Sequence, residues 1–236
     1  MTDAVTYRSD VTVRLDDWMG DDAKVIRMAK ASIKRTGGDM DSAAREGFIN
    51  FLARERHGVP FEHAYGTFYI EAPLRVLRQM AKHRHTSISE WSGRYSVLEP
   101  VFFLADRDRH LVQAGKPGAY RFQPGSADQW LTYVWQTTAA SEYAWRSYQA
   151  MLNAGIAREL ARDVLGVGIY TSAYVTLNAR AMMHFLSLRT SGRDYATLTS
   201  HPQAEIELVA DGIEAHLAAK LPAVHAAFEK YGRVAP

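Results

Sequence analysis

The 236-residue chain contains no cysteine. Without a thiol it can form no disulfide bond, no thiolate metal site and no cysteine nucleophile. No apolar run approaches the ~18 residues that a membrane span requires, and we identify no signal peptide. We therefore expect a cytoplasmic protein with no membrane partner.

A strong net charge is also lacking, because the formal charge at pH 7 is +2. This value is too small to indicate a nucleic-acid-binding surface, so we expect no nucleic-acid partner. Hydrophobic residues make up 47% of the chain, which is enough to bury a substantial core. We expect a single domain over residues 1–236.

Several common site motifs are missing as well. Neither G-x-G-x-x-G nor G-x-x-x-x-G-K-[ST] occurs, so a dinucleotide would bind outside the Rossmann and P-loop schemes. His83 and His85 are alternate residues at a predicted helix end and would point apart, so we predict no metal site. No G-x-S-x-G elbow frames Ser87, Ser89 or Ser92, which argues against a serine hydrolase.

Hydrophobic periodicity predicts more helices than strands. The predicted helices are Gly20–Ala29, Ser42–Arg56, Pro73–Lys82, Ala127–Asn153, Ala157–Leu165, Asn178–Arg189 and, as the last one, Gln203–Leu221. The predicted strands are Val11–Leu15 and Thr67–Ala72, with Val101–Leu104 as strand or turn and Tyr170–Leu177 as strand or connector. Because the strands are not spaced as βαβ units, the fold class is α+β.

The polar stretch Gln79–Tyr95 follows a helix that packs on the core. It combines Lys82, Arg84 and Arg94 with two histidines, three serines and a tryptophan. Guanidinium groups suit phosphate oxygens, and hydroxyl groups suit a ring edge, so the stretch predicts a site for an anionic aromatic ligand. A structural alternative explains part of it, because cations are favoured at a helix C-terminus.

A second polar cluster lies on the predicted helix Asn178–Arg189, which contains no acid. A solvated face would usually pair Glu with Lys, so Arg180, His184 and Arg189 favour an anion site over a purely structural role. Arg162, on a short amphipathic helix, would add a phosphate contact.

Together the two clusters resemble the flavin-dependent thymidylate synthases. Lys82-His83-Arg84, then seven residues, then Ser92-Gly-Arg-Tyr-Ser resembles that family's signature of Arg-His-Arg, seven residues and Ser. The resemblance continues through His57-Gly-Val-Pro-Phe-Glu-His63, the helix Asn178–Arg189 and the terminal Gly232-Arg-Val-Ala-Pro236.

The resemblance implies a central, mainly antiparallel sheet flanked by helices. It also implies an enzyme that methylates C5 of dUMP, with methylenetetrahydrofolate as carbon donor, FAD as cofactor and NADPH as reductant. The family assembles its sites at the subunit interfaces of a homotetramer and uses no cysteine nucleophile. Three alternatives stay open: a UMP C5-methylase of nucleoside-antibiotic (polyoxin-type) biosynthesis, a non-catalytic nucleotide- or flavin-binding paralogue, and a helical interaction protein.

Positions matching the family's motifs imply three sets of site residues. The substrate set is Gln79, Glu90, Ser92, Gly93, Arg94, Arg162 and Arg189. The cofactor set is His57, Lys82, His83, Arg84, His85, Glu90, Asn178, Arg180 and His184. The catalytic set is Arg189, Ser92 and His57, and His57 with Tyr95 would border the folate.

Three positions depart from the family pattern. Lys82 replaces the first signature Arg and keeps its charge without the planar fork. Ser89 and His184 stand where Asn is common in the family. These departures leave the choice between dUMP and UMP open.

Overall fold

The computed structural model describes residues 4–31, 40–117 and 119–236. The single-domain prediction over 1–236 therefore includes residues that lie outside this part of the chain. Internal contacts divide the chain into two compact units, which are described separately. Unit 1 comprises Met1–Val11, Glu71–Arg78 and Glu90–Ser172, and unit 2 comprises Thr12–Ile70, Gln79–Ser89 and Ala173–Pro236.

The described residues form eight strands and eight α-helices. The strands are β1 (Thr6–Arg8), β2 (Thr12–Met19), β3 (Tyr65–Pro73), β4 (Thr86–Glu90), β5 (Val101–Phe103), β6 (Val112–Ala114), β7 (Arg121–Gln123) and β8 (Tyr170–Asn178). The helices are α1 (Asp22–Lys30), α2 (Ser42–Arg54), α3 (Leu74–Met80), α4 (Ala127–Asn153), α5 (Arg158–Ala161), α6 (Ala179–Arg189), α7 (Ala204–Lys220) and α8 (Pro222–Lys230). Two 3₁₀ helices span Val59–His63 and Arg162–Leu165. No helix among these is long and apolar enough to cross a membrane.

The central sheet is antiparallel and has the strand order β2-β3-β8-β4. Burial alternates along β3 and β8, as expected when side chains point to opposite faces. Phe68 and Ile70 are fully buried and lie on one face of β3. The sheet and its flanking helices confirm the α+β class.

The core of unit 2 is built from α1, α2, α6, α7 and α8 around the fully buried Val25, Ile49 and Met182. The carboxylate of Asp22 in α1 accepts hydrogen bonds from Ala223 N at 3.0 Å and Val224 N at 3.1 Å. These bonds satisfy two free N–H groups at the start of α8. Helix α8 therefore follows α7, which corresponds to the helix that the sequence predicted to be the last.

Unit 1 is organised around α4, whose bounds match the prediction. A capping box joins Ser126 and Gln129 at its start. Trp145 and Tyr148 pack in a cluster completed by Phe102, Ala161, Leu165 and Ile169. Beside it, β1 and β5 form a parallel pair with Thr6 opposite Val101. Strands β6 and β7 form an antiparallel pair with Val112 opposite Gln123.

The polar stretch Gln79–Tyr95 differs from its prediction. Helix α3 ends at Met80, two residues before the expected end, and the edge strand β4 lies inside the stretch. Strand β4 has the sequence Thr-Ser-Ile-Ser-Glu, which has one apolar residue and no apolar alternation to predict it.

Two glycines test the packing of unit 2. A methyl group at Gly212 of α7 would lie 2.7 Å from Val13 Cβ, whereas one at Gly47 of α2 would meet no atom within 4 Å. We expect Gly47→Ala to raise the free energy of unfolding by ~1 kcal/mol through helix propensity. We expect Gly212→Ala to lower it by ~1–2 kcal/mol because the packing must give way. Chemical denaturation measures both values, and a stabilised Gly212→Ala variant would contradict the close packing of α7 on β2.

Candidate active site

The principal candidate site is a cavity of about 570 Å³ in unit 2. Its walls come from the turn after α3, the start of β4, one face of α6, the 3₁₀ helix Val59–His63 and the end of the chain. The lining residues are Glu62, Lys82, His83, Arg84, His85, Thr86, Asn178, Arg180, Ala181, His184, Leu188, Arg189, Ala235 and Pro236.

Seven of the nine positions predicted to bind the cofactor line this cavity. They are Lys82, His83, Arg84, His85, Asn178, Arg180 and His184. Arg189, from the predicted substrate set, lies with them. The other two positions lie elsewhere: His57 is exposed and stacks on Phe51 at 5.6 Å, and Glu90 of unit 1 accepts a hydrogen bond from Thr171 Oγ1 at 3.3 Å.

Helix α6 presents one stripe of side chains to the cavity. Asn178 caps the helix, because its Oδ1 accepts a hydrogen bond from Ala181 N at 2.8 Å. Arg180, His184 and Leu188 follow at intervals of four residues and so share one face. Leu188 is half-buried and lines the cavity with these two polar residues.

Arg180 is held by two acceptors. Its Nε donates to Pro236 O at 2.6 Å, and its Nη1 donates to Glu62 Oε1 at 2.6 Å. Gly58 lies directly against this arrangement, since a Cβ there would fall 2.5 Å from Arg180 Nε and 2.7 Å from Pro236 O. A side chain at position 58 is thus incompatible with the observed place of Arg180.

Arg189 and His83 form the second polar contact of the cavity. Arg189 Nε donates to His83 Nε2 at 3.1 Å, so the neutral imidazole carries its proton on Nδ1. Burial, the Arg189 charge and the neighbouring His184 lower the pKa of His83 to about 4. Burial also lowers the pKa of Arg189. His83 is therefore neutral at physiological pH and leaves the Arg189 charge uncompensated.

The cavity has an excess of cations. Lys82, Arg84 and Arg189 have no carboxylate partner within the described part of the chain. Glu62 is the acid in the lining, and it pairs with Arg180. Uncompensated cations at the wall of a concave site attract anions.

A second group of predicted residues lies in unit 1. A Cβ on Gly93 would fall 3.3 Å from Arg162 Cδ, so Ser92-Gly-Arg94 and Arg162 are close neighbours. Ser92 Oγ accepts from Arg94 N at 3.3 Å, and Arg94 Nε pairs with Glu159 Oε2 at 3.0 Å. Both partners of that ion pair are about half exposed, so the pair contributes little stability and is exchangeable.

The sequence of the chain matches a known protein family. Residues 14–223 match the Thy1 family, described as thymidylate synthase complementing protein. The chain belongs to the Thy1 family. The resemblance drawn from the sequence motifs is confirmed.

Two relatives of the chain are named flavin-dependent thymidylate synthase. The protein from Tropheryma whipplei (strain TW08/27) is 45% identical over 233 residues, covering 98% of this chain and 97% of its own. The protein from Streptomyces coelicolor is 44% identical over 240 residues, covering 98% and 96%.

Solved structures of the UMP/dUMP methylase PolB from Streptomyces cacaoi have the same fold. The structure bound with 5-Br UMP is 44% identical, with a TM-score of 0.90, and covers 98% of this chain and 99% of its own. The structure bound with 5-Br dUMP is 43% identical, with a TM-score of 0.92, and covers 98% and 100%.

Other residues of this Thy1 chain were missed by the sequence analysis. Glu62, Thr86, Ala181, Leu188, Ala235 and Pro236 also line the cavity. Glu62 and Pro236 belong to motifs that carried the family resemblance, which was the available signal. Gln79, also of unit 2, lies outside the lining, and its Oε1 is a buried atom without a hydrogen-bond partner in the described chain.

One acidic cluster lies apart from the cavity. One carboxylate oxygen each from Glu214 and Glu229 and one ring nitrogen of His225 lie within 4.8 Å of one another, which is a spacing suited to a metal ion. Buried Arg233 donates to both carboxylates. Its Nη1 and Nη2 donate to the two carboxylate oxygens of Glu214 at 2.7 and 2.8 Å, and its Nη1 also donates to Glu229. Burial acts to raise the pKa of Glu214, but hydrogen bonds from His225 and Arg233 lower it to about 2. The cluster is accounted for as an ion-pair network around Arg233.

The contact between Arg189 and His83 has a measurable consequence. We expect His83 to titrate near pH 4 in an NMR pH titration of its ring signals. Arg189→Met should move the pKa of His83 toward its ordinary value of 6.5, because a cation that opposes protonation is removed. Arg180→Met is the control, since it deletes a cavity cation that does not contact His83. An unchanged His83 pKa in Arg189→Met would contradict the electrostatic coupling.

Proposed function

We propose that the chain methylates C5 of uridine monophosphate, with dUMP as substrate, methylenetetrahydrofolate as carbon donor, FAD as cofactor and NADPH as reductant. Relatives named flavin-dependent thymidylate synthase support a flavin-dependent methyltransferase, and the bromouridylate complexes of PolB support a uridylate substrate. The observation that carries the proposal is the convergence of seven expected flavin-binding positions on one cavity.

The chemistry of the cavity fits FAD, whose pyrophosphate is anionic. Lys82 and Arg84 are cations without acid partners in the described chain, and Arg180 retains three N–H groups beyond its two bonds to Glu62 and Pro236. Guanidinium groups bind phosphate oxygens through two parallel hydrogen bonds. We assign these three cations to the phosphates and His85, Asn178 and His184 to the remainder of the cofactor. When bound, FAD supplies hydride transfer, which no protein side chain can perform.

Arg189 is the residue we assign to activation of the pyrimidine. Its Nε is committed to neutral His83, which leaves both Nη groups available. A half-buried guanidinium with no carboxylate partner strongly stabilises negative charge, because solvent screens it weakly. We infer that Arg189 polarises a uracil carbonyl, so that C5 becomes nucleophilic toward the carbon donor.

The absence of cysteine supports the assignment of Arg189 to activation of the pyrimidine. Thymidylate synthesis through thiol addition to the ring requires a cysteine nucleophile, and the chain has none. Activation of C5 must then come from hydrogen bonding and charge. Ser92 and His57 keep the catalytic roles that the resemblance implies, and His57 and Tyr95, both exposed, are available to border the folate.

The phosphate of the nucleotide is assigned to unit 1. Arg94 and Arg162 are cations beside Gly93, with Glu90 and Ser92 on the same segment. A phosphate dianion offers Arg94 a stronger partner than the exposed carboxylate of Glu159. Gln79 and Arg189 belong to unit 2 and keep the substrate-binding roles that the family resemblance implies. The family resemblance further supports a homotetramer with sites at subunit interfaces.

UMP is the second candidate substrate. A relative whose structures contain either 5-Br UMP or 5-Br dUMP supports a site that accepts both sugars. Two departures from the family pattern, Lys82 and His184, line the cavity, and the third, Ser89, is exposed on β4. A change of substrate would accommodate these departures.

A substrate assay tests the proposed function. We expect the purified protein to bind FAD and to oxidise NADPH faster when dUMP is added. With methylenetetrahydrofolate present, dTMP should form and be detectable by mass spectrometry. If UMP is converted to 5-methyl-UMP at the same rate, UMP is established as a substrate as well. A protein that takes up no FAD would exclude both, and one that binds FAD without forming product would be a non-catalytic paralogue.

Replacement of Arg189 tests its assigned role. We expect Arg189→Ala to lower the methylation rate by ~100-fold or more, because a charge that stabilises the transition state is lost. Affinity for FAD should change by less than ~10-fold, since Lys82, Arg84 and Arg180 remain. Arg193→Ala is the control, because Arg193 is exposed and outside the cavity lining. An Arg189→Ala variant with full activity would remove Arg189 from the mechanism.

A further inference from the structure

The tail segment, Arg233–Pro236, forms part of the cavity wall. Ala235 and Pro236 line the cavity, and Pro236 is buried. The carbonyl of Pro236 accepts the hydrogen bond from Arg180 Nε at 2.6 Å. Glu62 takes Nη1 on the other edge of the guanidinium, so the tail segment and Glu62 together set which N–H groups of Arg180 face the cavity.

Two arginines hold this tail segment, and both have strained backbones. Arg56 (φ 60°) and Arg233 (φ 53°) are the non-glycine residues with positive φ in the described chain. A side chain in this region clashes with its own backbone, which is why glycine is the usual occupant. Such strain persists where the side chain serves a purpose that glycine cannot.

Arg56 ends helix α2 in the place where glycine is typical. Arg56 N donates to Ala53 O at 3.3 Å and His57 N donates to Leu52 O at 2.9 Å, which is the Schellman pattern. The backbone at position 56 would thus be served better by glycine. The arginine side chain does what glycine could not: its Nη1 donates to Val234 O at 3.0 Å and Ala235 O at 3.3 Å.

Arg233 anchors the other end of the tail segment. Its side chain is 1% exposed and donates to Glu214, Glu229 and the hydroxyl of Thr190. Thr190 follows the last residue of α6, so the anchor ties the tail segment to the helix that carries Arg180. The segment is therefore fixed at Arg233, supported in its middle by Arg56 and joined to Arg180 at Pro236.

We propose that Arg56 and Arg233 are positioning residues that act through the tail segment to orient Arg180 toward an anionic ligand. The inference rests on the proposed function in one respect, namely that the ligand is FAD. Neither arginine lines the cavity. Arg56 acts through the carbonyls of Val234 and Ala235, and Arg233 acts by fixing the start of the tail segment. The strain at both positions is the cost of holding the tail segment against Arg180.

Arg56→Gly separates positioning from folding. Glycine relieves the strain at position 56 and keeps the α2 ending and the place of His57, so the thermal midpoint should stay equal or rise. Affinity for FAD, measured by flavin fluorescence titration, should fall ~3–10-fold because Arg180 loses its fixed orientation. Arg56→Lys keeps a donor for the carbonyls and should restore most of the affinity. Arg54→Met, at the exposed end of the same helix, is the matched control and should bind FAD as the unaltered protein does.

A double substitution identifies the route of the effect. If the tail segment acts through Arg180, Arg56→Gly will weaken FAD binding in the unaltered protein and will have no further effect in Arg180→Met. The same loss in both backgrounds would overturn the proposal.

A ligand-free measurement keeps the inference independent of the proposed function. Hydrogen–deuterium exchange should become faster for a peptide covering Tyr231–Pro236 in Arg56→Gly and should be unchanged in Arg54→Met. Unchanged exchange in Arg56→Gly would overturn the inference whether or not FAD binds. Failure of every form of the protein to bind FAD, with faster exchange in Arg56→Gly, would refute the proposed function and leave the positioning role supported.

Discussion

The hydrogen bond from Ala181 N to Asn178 Oδ1 is the constraint on which the cavity depends. It determines where α6 begins, and the helical repeat then determines which residues share a face. Arg180, His184 and Leu188 point to the cavity while Met182 and Phe185 enter the core. A start displaced by one residue would rotate this face by about 100° and bury a cation. The position of one cap thus separates a binding wall from a hydrophobic core.

The charge balance of the cavity follows from that arrangement. Three cations stand in its lining without carboxylate partners in the described chain, and His83 adds none because its pKa is low. Protein folding alone gives no reason to collect unpaired cations in a concavity, since their mutual repulsion is unfavourable. An anionic ligand supplies that reason. The same electrostatic term therefore destabilises the empty cavity and favours binding.

The sequence predicted those parts of the structure that local pattern determines. Helix α4 was predicted to its bounds because 27 residues repeat the apolar period many times. Strands β1, β6 and β7 were missed because three residues define no period, and β4 because its residues are mostly polar. In the cavity, the lining cations Lys82, Arg84, Arg180 and Arg189 all belong to the two polar clusters singled out in the sequence. The hydrogen bonds that hold Arg180 join residues 118 and 56 positions apart, and no local pattern indicates them.

The departure at His184 shows how a substitution is accommodated within this balance. His184 places its imidazole in a cavity that already has an excess of cations. Its ring lies 6.1 Å from that of His83 and contributes to lowering the pKa of His83. The neighbouring His184 thus opposes protonation of His83, in the same direction as burial and the Arg189 charge. Arg189 thus keeps a neutral acceptor at Nε, and this contact leaves its two Nη groups available at the cavity wall.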